Sequence, residues 1–249
     1  MLRVEPRDQG AKMHDFRLND VSLTLPKGLA TPSILAKLAD GSYEADEARS
    51  ADRCVRPGFR VLELGAGIGY VTAICARRAG AQNVLSVEAN PDLLPVIRNN
   101  LVSNGLSGVT LIHGAVTGPV AEGASADFGL SNGFTGSSLG AGAKGRSVRV
   151  PLVSVHDLIR AHKPHVVLMD VEGAEADLFS RPWKCPLRFC VMELHPKKYP
   201  PRVIKKIVDF MSAMDMTYDP ATSRGKVLGF RKVWGAGDDP DMSDDSPEA

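Results

Sequence analysis

The stretch VLELGAGIGY, residues 61–70, decides the fold. With Arg60 in front, its first residues read as a short buried strand, RVLEL. Three glycines follow at alternate positions, Gly65, Gly67 and Gly69. Glycine lets the backbone turn sharply and lie flat against a ligand. Helical spacing then takes over in IGYVTAICARRAG, with Ile68, Val71, Thr72, Ile74 and Cys75 close to one face. Strand, glycine turn and helix in succession open a nucleotide-binding α/β unit. A dinucleotide loop reads GxGxxG and needs its third glycine where this chain has Tyr70. Here the pattern is ExGxGxG, beginning at Glu63. A carboxylate beside the turn suits a cationic ligand better than a phosphate. S-adenosylmethionine carries an ammonium and a sulfonium, and no phosphate.

Outward from that stretch, strands and helices keep alternating. NVLSVE is a second strand, ending in Glu88, 25 positions after Glu63. A carboxylate there can accept both hydroxyls of a ribose. PDLLPVIRNNLVSNG reads as a helix begun by Pro91 and closed by Asn104-Gly105, with Pro95 tolerated near its first turn. VTLIHGAV is a third strand, and residues 118–147, rich in Gly and Ser, read as a loop region. SVRVPLV gives an extra strand, SVHDLIRAH a helix, HVVLMD a fourth strand, GAEADLF a helix and RFCVMEL a fifth strand. PPRVIKKIVDFMSAM is amphipathic, and TYD and VLGFRKV read as two last strands. Before the glycine loop, VSLTLP alternates as a strand does. TPSILAKLADG is a helix opened by Thr31 and closed by Gly41, and SYEADEARSADRCV is a second helix ended by Pro57-Gly58. This alternation predicts a parallel sheet covered by helices on both faces, with ligands at the carboxyl ends of its strands.

The 249 residues, 43% apolar and 24% charged, suffice for one sizeable core. The expected division is an N-terminal extension over residues 1–58 that caps the cofactor, a catalytic domain over 59–234, and a disordered acidic tail over 235–249. That tail holds six acids and no base, so the rest of the chain carries 30 bases against 23 acids. No apolar run reaches bilayer length, and MLRVEPRDQG has no signal core. No CxxC pair occurs among the four cysteines, Cys54, Cys75, Cys185 and Cys190. A cytoplasmic protein with free thiols and no membrane contact is expected. His156, His162 and His165 flank a surface helix and read as solvated.

VLELGAGIGY, then VEANP, LMDVEGAE and VMELHP, together resemble the FkbM family of S-adenosylmethionine-dependent methyltransferases. SYEADE resembles the Tyr-Glu segment that precedes the glycine loop in that family. The resemblance covers residues 42 to about 200, and DVEGAE is its most specific element. One departure stands out: many members have a DxGANxG loop where this chain has ELGAGIG. The resemblance implies a Rossmann-like class I methyltransferase fold, a seven-stranded mostly parallel sheet whose last strand is antiparallel. It implies O-methyl transfer, often to sugars or small metabolites. Carried over, Glu63, Gly65, Ala66 and Gly67 border the methionine part, and Glu88 holds the ribose. Ala89 lies near the adenine, His113, Gly114 and Ala115 flank its edge, and Tyr43 and Glu44 close over the cofactor.

The acceptor half centres on LMDVEGAEADLF, residues 168–179. Methyl transfer to a hydroxyl needs alignment and a base. The candidates are Asp170, Glu172, Glu193 and His195, at the ends of adjacent strands. Asp170 also faces the donor. Glu175, early in a helix, reads as a complement to the helix dipole. A divalent metal on Asp170 and Glu172 is compatible with the pattern but is not expected from it. Residues 181–206 hold eight bases and one acid. They read as a solvated rim, with an RNA substrate as the alternative. Three functions stay in play: O-methylation of a small-molecule or glycan hydroxyl, RNA methylation, and a cofactor-binding module without turnover. The acceptor, the metal requirement and the oligomeric state are left open.

Overall fold

A computed structural model describes residues 13–131, 137–139 and 146–235. In chain order the elements are β1 (Met13–Leu18), β2 (Val21–Pro26), α1 (Pro32–Asp40), α2 (Ala45–Cys54), β3 (Val61–Leu64), α3 (Tyr70–Ala79), β4 (Val84–Glu88) and α4 (Leu94–Ser103). There follow β5 (Thr110–His113), β6 (Ala115–Thr117), β7 (Ser125–Gly129), β8 (Ser138–Leu139), β9 (Ser147–Ser154), α5 (Val155–His162) and β10 (Val166–Met169). The chain continues through α6 (Glu175–Leu178), β11 (Phe189–Glu193), α7 (Pro201–Ala213), β12 (Met216–Tyr218) and β13 (Val227–Lys232). The main sheet has seven strands in the order β12-β13-β11-β10-β3-β4-β5. β13 runs antiparallel to both neighbours, and the pairs from β11 across to β5 are parallel. That is the expected class I arrangement.

Alternation within each central strand feeds two cores. Val61, Val166, Leu168, Phe189 and Val191 face α2, α3, α4 and the β1–β2 hairpin. Leu62, Leu64, Val167, Met169, Cys190 and Met192 face α5, α6 and α7. A strand covered on both faces reads as a continuous apolar run, which is why RVLEL and HVVLM were legible.

Several local expectations need correction. β1 has no counterpart in the sequence reading. It pairs with β2 through a two-residue turn in which Asn19 and Asp20 both have positive φ, the geometry that tight hairpins favour. The hairpin shares the core of the main sheet, and Asn100 Oδ1 accepts from Thr24 N at 2.8 Å. Helix α4 starts at Leu94, three residues beyond Pro91, which leaves Pro95 in the first turn where its missing N–H costs nothing. VTLIHGAV breaks at Gly114, where an added Cβ would lie 2.3 Å from Val153 Cγ2. β6 therefore leaves the main sheet and pairs with β9. Residues 118–147 are not simply a loop. β7 and β8 lie there, in a second sheet ordered β6-β9-β7-β8. GAEADLF supplies only the single turn α6. The three histidines are not merely solvated: His156 contacts Ser180 Oγ, His162 the Val61 carbonyl, and His165 accepts from Arg60 N. All four cysteines are free thiols. Residues 236–249, most of the expected tail, lie outside the described residues. Among the described residues no helix is long and apolar enough to cross a membrane.

Candidate active site

A cavity of about 320 Å3 opens at the carboxyl ends of β3, β4 and β10. Its size suits a nucleoside-sized ligand. The glycine loop forms one wall because nothing larger fits. Gly65 has φ +89°, and a Cβ there would sit 2.0 Å from the Asp170 carbonyl oxygen. The loops after β3 and β10 therefore touch backbone to backbone. At Gly67 a Cβ would lie 3.0 Å from Glu44 Oε1 and 3.2 Å from the Tyr43 hydroxyl. Tyr43 and Glu44 line the cavity just ahead of α2, hydrogen-bonded to each other. Burial pushes both groups up, and the charge of Asp170 adds to it.

Glu88 ends β4 and lines the same cavity. Its Oε2 accepts from Gly67 N at 3.0 Å and its Oε1 from Asn90 N at 2.7 Å. Burial pushes its pKa up to about 7, against the lowering effect of the backbone amides of Asn90, Gly67, Ala66 and Ala89. Beyond Glu88 the lining turns apolar, with Ala89, Leu93, Val116 and Phe128. Phe128 comes from β7, so the second sheet walls this end. Gly114 and Ala115 also line the cavity.

Three expected cofactor residues stand off the wall. Glu63 faces the α2–α4 side, where its Oε2 accepts from Thr72 Oγ1 and Ser86 Oγ, each at 2.5 Å. It borders a smaller pocket shared with Glu44, Glu47, Asp170 and Glu193. Ala66 is buried in the loop. His113 Nε2 lies 3.2 Å from the Ala89 carbonyl, so it supports the turn after Glu88 and does not face the cavity.

Asp170 and Glu172 line the cavity, and behind them lies an acidic corner around His195. His195 Nε2 is 3.4 Å from Asp170 Oδ1, 3.4 Å from Glu172 Oε2 and 3.8 Å from Glu193 Oε2. Its Nδ1–H donates to Glu175 Oε1 at 3.0 Å, the donor role following because a carboxylate only accepts. The Tyr199 hydroxyl accepts from His195 N at 2.8 Å. Lys198 Nζ donates to Glu172 Oε2 at 2.7 Å and to the Glu172 carbonyl at 2.8 Å. Glu172 has φ +52° and Gly173 φ +103°, so this turn is held in a strained conformation beside Lys198. Burial pushes Asp170 up, and the charges of Glu193 and Glu172 add to it. Burial alone would lower His195, but the Glu175 hydrogen bond and the charges of Glu175, Asp170 and Glu172 outweigh it, so its shift is upward.

Two sequence expectations change here. Glu175 stands in the first turn of α6 as expected, but it does more than complement a helix dipole: it is fully buried and holds His195. His195 itself sits behind Asp170 and Glu172 and not on the cavity wall. Glu175 is the functional candidate that sequence reasoning missed. The signal available was the parallel pairing of β10 with β11, which brings the residues after DVEG beside those after MEL.

The family described as "Methyltransferase FkbM domain" matches residues 63–220. The chain belongs to this FkbM methyltransferase family. Curated relatives match over short segments only. The chain is 42% identical over 60 residues to a protein-L-isoaspartate O-methyltransferase of Methanococcoides burtonii, which is 24% of this chain and 30% of that protein. It is 41% identical over 59 residues to the 23S rRNA (uracil(1939)-C(5))-methyltransferase RlmD of a Shewanella strain, 24% of this chain and 13% of that protein. These matches span less than a third of each relative's length. Among solved structures, Trm5b of Pyrococcus abyssi superimposes with a TM-score of 0.49 and 12% identity, covering 92% of this chain and 61% of that one. The FkbM match covers the glycine loop, Glu88, Asp170 and the acidic corner, and begins beyond Tyr43 and Glu44.

Proposed function

We propose that this FkbM-family chain is an S-adenosylmethionine-dependent methyltransferase that acts on a hydroxyl of a small molecule or glycan. The observation that carries this reading is a shared wall: Asp170 and Glu172 line the donor-sized cavity and also border His195. A methyl donor and a proton acceptor are thereby brought to one place.

The cavity's residues fit the donor. The Glu88 carboxylate offers lone pairs to a ribose, with its orientation fixed by the Gly67 and Asn90 amides. Ala89, Leu93, Val116 and Phe128 offer an apolar slot for a base. Asp170 and Glu44 offer carboxylates to an ammonium. The bare backbone at Gly65 and Gly67 allows close approach. Residues ahead of β3 act as the cap through Tyr43 and Glu44, while the β1–β2 hairpin serves the core. When bound, S-adenosylmethionine supplies a methyl group on sulfur that is open to in-line displacement. The chain's own residues align the acceptor oxygen and exclude water. The carboxylates of Asp170 and Glu172 take the hydroxyl proton. Raised proton affinity at Asp170 suits that task. Glu175 fixes the ring of His195, which in turn sets the two carboxylates.

The basic stretch lends an RNA substrate little support. Lys198, Lys205 and Lys206 are engaged with Glu172, Asp209 and the Ala176 carbonyl. Arg188 lies over the rings of Phe59 and Trp234. Supplying methyl-labelled donor with panels of glycans, small alcohols and phenols, RNA and protein tests the assignment. Label recovered in an alkali-stable ether supports it. Label found only in RNA overturns the small-molecule or glycan acceptor, and label found only on amines overturns the hydroxyl reading.

A further inference from the structure

We propose that Asp170 and His195, with Glu175 held behind the imidazole, form a binding site for one divalent cation of the manganese or zinc type. One donor atom from each of the three lies within 4.8 Å of the others. The hydrogen bond from Nδ1 to Glu175 fixes the His195 tautomer and leaves the Nε2 lone pair facing Asp170, Glu172 and Glu193. A carboxylate behind a ligating histidine is the arrangement that orients metal-bound imidazoles. The separations of 3.4 Å from Nε2 to Asp170 and to Glu172 are long for hydrogen bonds. They match the spacing between two ligands of one cation, about 3.0–3.4 Å when each bond is about 2.1 Å.

A second observation is independent of the acidic clustering. Glu175 is fully buried, yet its Oε2 has no hydrogen-bond partner, and neither does the buried Asp170 Oδ1. An unpartnered oxygen in such a place is costly, and a cation held between Asp170 Oδ1 and His195 Nε2 removes the cost at Asp170. The nearby ammonium groups serve other acids: Lys198 pairs with Glu172, and Lys226 lies 3.5 Å from Glu193 Oε1. Among the described residues, no lysine or arginine forms an ion pair with Asp170 or Glu175. One imidazole with carboxylates suits manganese or zinc better than calcium, which takes oxygen ligands throughout.

The consequence for catalysis rests on the hydroxyl-methylation reading. With the cation bound, Asp170 serves as its ligand and no longer as a base; an acceptor hydroxyl on the cation becomes more acidic, and Glu172 takes its proton. His195 then acts as a ligand and not as a base.

The test uses the full-length protein stripped with chelator, with no methyl donor present, so that its outcome is independent of turnover. Mn2+ is titrated and followed by electron paramagnetic resonance, with pulsed spectra to detect coordinated nitrogen. One bound Mn2+ per chain with a directly coordinated histidine nitrogen, displaced by Zn2+, is expected. Loss of that site in His195→Gln and in Asp170→Asn, and at least tenfold weaker binding in Glu175→Gln, complete the expectation. No binding of either Mn2+ or Zn2+ at millimolar concentration overturns the proposal. So does bound Mn2+ without a nitrogen signal in the wild-type protein, which marks adventitious carboxylate binding and needs no variant to fold. Methyl transfer that persists without a cation leaves the proposed function and the binding site standing and removes only the cation's part in catalysis.

Discussion

Glu63 offers a test of how the glycine-loop region is built. It is 2% exposed and holds two hydroxyl hydrogen bonds, yet burial outweighs them and pushes its pKa from 4.5 up to about 7, with the Glu88 charge adding to the rise. The folded state therefore holds this proton more tightly than the unfolded chain does. Stability from this group is fully present below about pH 4.5 and is lost as pH rises through about 7. The difference of about 2.5 units corresponds to roughly 3 kcal/mol of stability missing at pH 8. Glu63→Gln keeps an oxygen to accept from Thr72 and Ser86 and removes the buried charge. Urea unfolding of both proteins should show the variant more stable by about 3 kcal/mol at pH 8 and by less than about 1 kcal/mol at pH 5. A stability difference that does not change with pH would refute this reasoning, because the carboxylate would then be ionised equally in both states.

Gly65→Ala should lower stability by about 2–3 kcal/mol and abolish S-adenosylhomocysteine binding, because its Cβ meets the Asp170 carbonyl. Gly105→Ala, at φ +74° with open space around it, should cost only about 1 kcal/mol in the same urea unfolding. Asp170→Asn should cut turnover about a hundredfold. Glu175→Gln should cut it at least about tenfold with little change in S-adenosylhomocysteine affinity. Steady-state kinetics beside calorimetry separate the two effects, and full activity in Asp170→Asn would remove that residue from the reaction.

What the sequence disclosed follows from which signals are local. The turn after RVLEL, the spacing from Glu63 to Glu88 and the order of strands all lie in short segments whose periodicity and glycines speak for themselves. The small sheet of β6 to β9 does not. Its strands pair across a Gly- and Ser-rich stretch, from which Phe128 and Leu130 join Ala115 and Val150 in a small core. The β1 strand, MHDFRL, hides in the same way, since its partner supplies most of the apolar pattern. Glu63 was assigned to the ligand because of its place in the motif. Its side shares the Val61 face of β3, and that face turns to α3. Glu175 and His195 are 20 positions apart, and only the pairing of β10 with β11 makes them partners.

The central claim is that Glu88 and the glycine loop hold a methyl donor. Calorimetric titration of S-adenosylhomocysteine into the wild-type protein and into folded Glu88→Ala, with NAD as the competing ligand, tests it most directly. Stoichiometric binding to the wild type, weakened by about 1.5–3 kcal/mol in the variant, and no binding of NAD are expected. Unchanged affinity in Glu88→Ala, or a preference for NAD, would contradict it.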